Sequence, residues 1–192
     1  MARHHVRIAL DSSYLVPLLS DLHAHHKPTQ DSYERCIERG DEIVLPIHAV
    51  LECYSVLTRM PPPYRLSADI AQRTIADTFS RIAVVVGVKS AILWDYLLEL
   101  AARHVIGGRV YDALIARCAA DAGATLLLTW NPKHFVAIAP PGLEIQEPDS
   151  RALFTVPRVV HDQCGNHFHR TNDPNILIAA LNLGVSISLF EP

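Results

Sequence analysis

Val6-Arg7-Ile8-Ala9-Leu10-Asp11-Ser12-Ser13-Tyr14-Leu15-Val16-Pro17-Leu18-Leu19 is the stretch that decides the fold. The β-branched and apolar run from Val6 to Leu10 stops at Asp11-Ser12-Ser13, residue types whose side chains accept the free N–H groups of a starting helix. An apolar stretch, Tyr14 to Leu19, follows at once. This reads as strand, turn, helix, and the question for the rest of the chain is whether that unit recurs.

It recurs. Ser32 to Arg39 reads as a short polar helix ended by Gly40, and Glu42-Ile43-Val44-Leu45 as a second strand. Pro46 suits a first helical position, and Ile47, Val50, Leu51, Tyr54 and Leu57 follow at helical spacing until Pro61-Pro62-Pro63 forbids continuation. Ser67 can cap a helix through Ser80, Ile82 to Val86 reads as a buried strand, and Ser90 to His104 as a further helix. After Gly107-Gly108 the residues Tyr111, Leu114, Ile115, Cys118, Ala119 and Ala122 mark one helical face, closed by Gly123. Ala124 to Thr129 then reads as a strand, and Leu143-Glu144-Ile145 adds a last short one. Strands alternating with helices imply a parallel sheet covered by helices and joined by right-handed crossovers. This pattern ends near residue 148. Residues 149–192 differ in character and read as a C-terminal extension, with a helix start at Asn172-Asp173-Pro174.

The bulk composition agrees with one folded domain: 192 residues, 49% hydrophobic and 19% charged, whereas a disordered chain is poor in Val, Ile and Leu. No apolar run reaches bilayer length and the opening residues lack a greasy leader, so the expectation is a cytoplasmic protein with no membrane association. Cys36, Cys53, Cys118 and Cys164 are widely and irregularly spaced, which favours buried free thiols over disulfides or zinc. The net charge of −3 carries no global signature of nucleic-acid binding. A local basic rim of Arg59, Arg109, Lys133 and His134 can still hold phosphates. His23, His25 and His26 read as solvated loop residues, and His161, Cys164, His167 and His169 lack a zinc-ligand spacing.

Open parallel sheets bind ligands outside the carboxyl ends of their strands. Asp11 and Asn131 each follow a strand. Glu52 falls in the second turn of the helix after the second strand, and Asp112 in the opening turn of the helix that leads to Thr125–Thr129. Each has an ordinary alternative: a helix cap for Asp11, a solvated position for Glu52, complementarity to a helix N-terminus for Asp112, a turn before Pro132 for Asn131. Together they offer three carboxylates and an amide oxygen at one edge. That set suits a hard cation, Mg²⁺ or Mn²⁺, and through it phosphodiester hydrolysis.

Four stretches carry a resemblance. Leu10-Asp11-Ser12-Ser13-Tyr14 resembles the first-strand aspartate motif of PIN-domain ribonucleases, especially the VapC-like toxins. His48 to Pro61, with its Leu57-Thr58-Arg59-Met60-Pro61 ending, resembles their glutamate helix, and Val110-Tyr111-Asp112-Ala113-Leu114-Ile115 their second aspartate motif. Leu127-Leu128-Thr129-Trp130-Asn131-Pro132-Lys133-His134-Phe135 resembles the closing motif, with Thr-Trp-Asn in place of the commoner Thr-x-Asp. The four occur in the family's order and span roughly residues 6 to 146.

The resemblance implies a three-layer α/β/α sandwich with a mainly parallel central sheet. It also implies a dimer, RNA cleavage with one or two Mg²⁺ ions, and an antitoxin segment that occupies the site. Metal would be held by Asp11, Glu52 and Asp112, with Asn131 assisting and Thr129 orienting a ligand or water. Because Asn131 brings an oxygen without charge, a second ion is expected to bind weakly or only with substrate phosphate. Three alternatives remain: a catalytically degenerate binding module of the same fold, a haloacid dehalogenase-type phosphatase and a phospho-acceptor receiver domain. Ser13 stands where the phosphatase needs a second aspartate, and Val86-Gly87-Val88 lacks the receiver's aspartate.

Overall fold

The central runs show no alternation of burial: Ile8, Ala9 and Leu10 are all buried, as are Ile43, Val44 and Leu45, and Leu126, Leu127 and Leu128. Successive side chains of a strand point to opposite faces, so runs buried at every position need cover on both faces. The computed structural model, in which residues 6–148 are described, meets this with a five-stranded sheet and seven helices. The elements run β1 (Arg7–Leu10), α1 (Ser12–Leu19), α2 (His26–Arg39), β2 (Glu42–Pro46), α3 (Ile47–Arg59), α4 (Ala68–Phe79), β3 (Ala83–Val86), α5 (Leu93–Ala102), α6 (Arg109–Asp121), β4 (Leu126–Leu128), α7 (Pro132–Phe135) and β5 (Glu144–Gln146). The strand order is β3-β2-β1-β4-β5, and every pair is parallel.

The expected strand–helix alternation is present, and four details differ from the sequence reading. α2 begins at His26, six residues before the expected Ser32. Its buried face is Thr29, Ser32 and Cys36, a helical spacing made of small polar residues that apolar periodicity does not register. Pro46 closes β2 and precedes α3, and α3 buries Ala49, Cys53 and Leu57 while Ile47 and Leu51 are exposed. The small side chains of Ala49 and Cys53 let α3 approach its neighbours, and the larger residues on the adjacent stripe stay outside. β3 is an edge strand with Val84 and Val85 exposed, where a buried strand was expected; an apolar run alone does not distinguish centre from edge. A 3₁₀ turn, Ser90–Ile92, precedes α5 where one continuous helix was expected.

Cys36, Cys53 and Cys118 are free and buried, as their spacing implied. Among the described residues no helix is long and apolar enough to cross a membrane. The readings placed on residues 149–192, including Cys164, His161, His167, His169 and the helix start at Asn172, lie outside the described residues.

Candidate active site

β1 and β4 are neighbours at the sheet centre, with Leu10 level with Leu128, so Asp11 and Thr129 leave the carboxyl edge side by side. The Asp11 N–H continues the ladder to the Leu128 carbonyl at 3.1 Å. Asp11 then caps α1: its Oδ2 accepts the Ser13 N–H at 3.3 Å. The capping expectation is therefore correct, and it accounts for only part of the side chain's environment. The same Oδ2 accepts the hydroxyls of Ser13 at 2.7 Å and of Thr129 at 2.8 Å. Each hydroxyl has a single proton and directs it at the carboxylate. Their oxygens, 3.0 Å apart, are in turn each filled by a backbone donor, Trp130 N–H to Ser13 at 2.9 Å and Asn131 N–H to Thr129 at 3.0 Å. Two parallel relays thus run from the β4–α7 turn through a hydroxyl to one carboxylate oxygen. Asp11 is 3% exposed and Thr129 is 0% exposed, so water does not compete for these bonds.

The remaining expected residues arrive from three other elements. Glu52 projects from α3 and is exposed, and Asp112 sits in the first turn of α6. Asn131 occupies the N-cap position of α7, but its side chain makes no cap hydrogen bond. His48, one turn before Glu52, stacks on Tyr111, the neighbour of Asp112, with ring centroids 4.6 Å apart. This contact ties α3 to α6 where the two carboxylates project. Asp11, Glu52, Asp112 and Asn131 line one open pocket of about 460 Å³ together with Ser12, Gly108, Arg109, Lys133 and His134. Three of the four expected rim residues are there; Arg59, at the far end of α3, is not among the lining residues.

Burial pushes the Asp112 carboxyl above its ordinary range. His134 and Arg109 pull it down, whereas Asp11 and Glu52 push it further up. His134 Nδ1 stands 3.7 Å from Asp112 Oδ2. The pocket therefore concentrates negative charge on oxygen donors, with the Arg109 and Lys133 cations and the His134 ring around the edge. Among the described residues no three His, Cys, Asp or Glu side chains close up far enough to enclose an ion by themselves. An open, all-oxygen set fits Mg²⁺ or Mn²⁺, which take one or two carboxylates and complete their shell with water and substrate phosphate, and does not fit zinc.

Sequence reasoning missed Ser13 as a partner of Asp11, taking it only for a capping residue, and missed Ser12 and Gly108 as pocket lining. A hydroxyl two residues beyond a capping aspartate was the available signal, but its link to Trp130 depends on the pairing of β1 with β4. Thr129, expected to orient a ligand or water, donates to the carboxylate of Asp11, one of the expected metal ligands.

The PIN domain pattern matches residues 8–139 of this chain. Ribonuclease VapC40 of Mycobacterium tuberculosis is 37% identical over 121 residues, which cover 62% of this chain and 84% of that protein. In fold the chain is similar to the crystal structure of the sarcin-ricin loop cleaving toxin VapC20 of Mycobacterium tuberculosis, with TM-score 0.53, 17% identity, and coverage of 69% of this chain and 99% of that one. It is likewise similar to DNA-bound VapBC from Salmonella typhimurium, with TM-score 0.52, 19% identity, and coverage of 74% and 98%. The chain belongs to the PIN domain family, among the VapC ribonucleases.

Proposed function

We propose that the protein is a metal-dependent endoribonuclease and the toxin of a toxin–antitoxin pair. The observation that carries this reading is the convergence of Asp11, Glu52, Asp112 and Asn131, from four separated stretches, on one pocket rimmed by Arg109, Lys133 and His134. Asp11, Glu52 and Asp112 would hold Mg²⁺, or Mn²⁺ in its place, with Asn131 adding a neutral oxygen. When bound, such an ion would supply Lewis-acid polarisation of the phosphoryl oxygen and of the attacking water. Arg109, Lys133 and His134 supply N–H donors to the phosphate oxygens and orient the scissile bond. Ser13 and Thr129 are positioning residues: they fix the Asp11 carboxylate so that no reorientation accompanies the reaction.

The family relationship supports an antitoxin partner, cytoplasmic RNA as substrate and a homodimer. Trp94, Leu97 and Leu98 on α5 are exposed at a helical spacing suited to burial against another subunit. The test is incubation of total cellular RNA with protein freed of any partner, with Mg²⁺, with Mn²⁺ and with chelator, beside Asp112→Asn. Discrete metal-dependent fragments that disappear in the variant are the expected result. A folded protein that leaves RNA intact with either ion refutes the nuclease and favours a catalytically degenerate binding module. Light scattering of the purified chain checks the dimer.

A further inference from the structure

Beside the acidic pocket lies a second one of about 360 Å³, and the two share Ser12 and Asn131. Its lining is of a different kind: Val16, Pro17 and Val56 give apolar surface, and His23, His25 and Trp130 give aromatic rings. His25 stacks on Trp130 with centroids 4.1 Å apart at 23°, and His23 stands 5.7 Å from His25. The stack is anchored. The Trp130 indole N–H donates to Thr29 Oγ1 at 2.9 Å, and that hydroxyl donates to the His25 carbonyl at 2.6 Å. His23 Nδ1 accepts the His25 N–H at 3.1 Å, which requires that nitrogen to be unprotonated, and burial beside His25 and His26 also holds His23 below its ordinary pKa. The loop histidine His23 is thus a neutral ring and not a solvated cation.

We propose that the pocket of His23, His25 and Trp130 is a nucleobase subsite, holding a base next to the phosphate that the adjoining acidic pocket cleaves. The inference rests on the nuclease reading above. Every nucleobase has a π face, and aromatic side chains on fixed supports bind single-stranded RNA by stacking with little choice of sequence. The volume lies near the lower end of the roughly 300–1,000 Å³ range of small-molecule pockets, a size for one nucleoside. Because the two pockets share Ser12 and Asn131, a bound base and its phosphate are neighbours along one strand. The subsite therefore requires the target to be unpaired at that position.

The test uses the full chain with Trp94→Phe, which leaves Trp130 as its single tryptophan, in chelator so that nothing is cut. The probes are a single-stranded mixed-sequence RNA of about ten nucleotides, the abasic ribose-phosphate chain of equal length and a free nucleoside monophosphate. RNA should quench Trp130 fluorescence saturably, and the abasic chain should bind without quenching and roughly 5- to 100-fold more weakly, the range set by loss of base–aromatic stacking. The monophosphate should bind far more weakly than RNA. His25→Ala, at an exposed position, should lose most of the RNA advantage, and Trp130→Phe should keep most of it. Equal binding of RNA and abasic chain, without differential quenching, overturns the subsite while cleavage of total RNA still stands. Monophosphate binding as tight as RNA overturns it in favour of a free-nucleotide site, and absence of both RNA binding and cleavage overturns the nuclease reading itself.

Discussion

Replacing Thr129 by valine keeps shape and burial and removes one hydroxyl. Two bonds go with it, the 2.8 Å donation to Asp11 Oδ2 and the 3.0 Å acceptance of the Asn131 N–H. A hydrogen bond to a charged group contributes about 1.5–3 kcal/mol net. No water replaces it, since Thr129 is 0% exposed. Asn131 is exposed, so its freed N–H can find solvent and adds little. The expected loss is about 2–3 kcal/mol of unfolding free energy, which for a chain of this size lowers Tm by roughly 4–12 °C. Thr129→Ser keeps the hydroxyl and gives up one methyl, at about 1 kcal/mol. Urea unfolding followed by circular dichroism measures both, with the slope m checked for constancy. Because Ser13 and Thr129 share one acceptor oxygen, the double variant Ser13→Ala/Thr129→Val should depart from additivity by at least 0.5 kcal/mol, on the order expected for residues in one network. A valine variant as stable as the parent, or a serine variant as damaged as valine, refutes the relay.

Three other outcomes follow from the structure. Burial raises the Cys36 and Cys118 thiols to about 11 and Cys53 to about 12. In a Cys164→Ser variant, no thiol should therefore react with a disulfide reagent at pH 8 until denaturant is added. The stability these thiols contribute is full below their ordinary 9.0 and is lost as pH rises through 11 to 12, which an alkaline unfolding series reads. Leu127→Ala, in a central strand at 0% exposure, should cost about 2–5 kcal/mol by the same urea assay. Asn131→Asp adds a fourth carboxylate to the pocket and should tighten Mn²⁺ binding by calorimetry, where unchanged affinity would remove Asn131 from the proposed ligand set.

How much was legible follows from what each residue does alone. Buried central strands are legible because three or four consecutive apolar residues ending in a turn have few other readings, and β1, β2 and β4 lie within a residue or two of expectation. Asp11 and Asn131 were found by position, since the residue after a central strand projects from the sheet's carboxyl edge. Contacts between distant segments were not legible. The hydroxyl relay joins residues 118 apart in sequence, and the His25–Trp130 stack joins a loop before α2 to the turn after β4. The first half of α2 was hidden because its buried face is made of small polar residues, Thr29 and Ser32, where an apolar pattern was sought. Val84 and Val85 read as core because the residues do not state which strand receives no further neighbour.

The adjacency of β1 and β4 has a consequence for a cell making this protein. Asp11 is translated 118 residues before the threonine that secures it. At roughly 5–20 residues per second a ribosome needs on the order of 6–24 s to cover that interval. Throughout it the emerging chain carries an aspartate with only half of its support, and Asn131, Lys133 and His134 have yet to be made. On the proposed nuclease reading, no activity can arise against the ribosome and message producing the chain until synthesis has passed the last piece of the pocket.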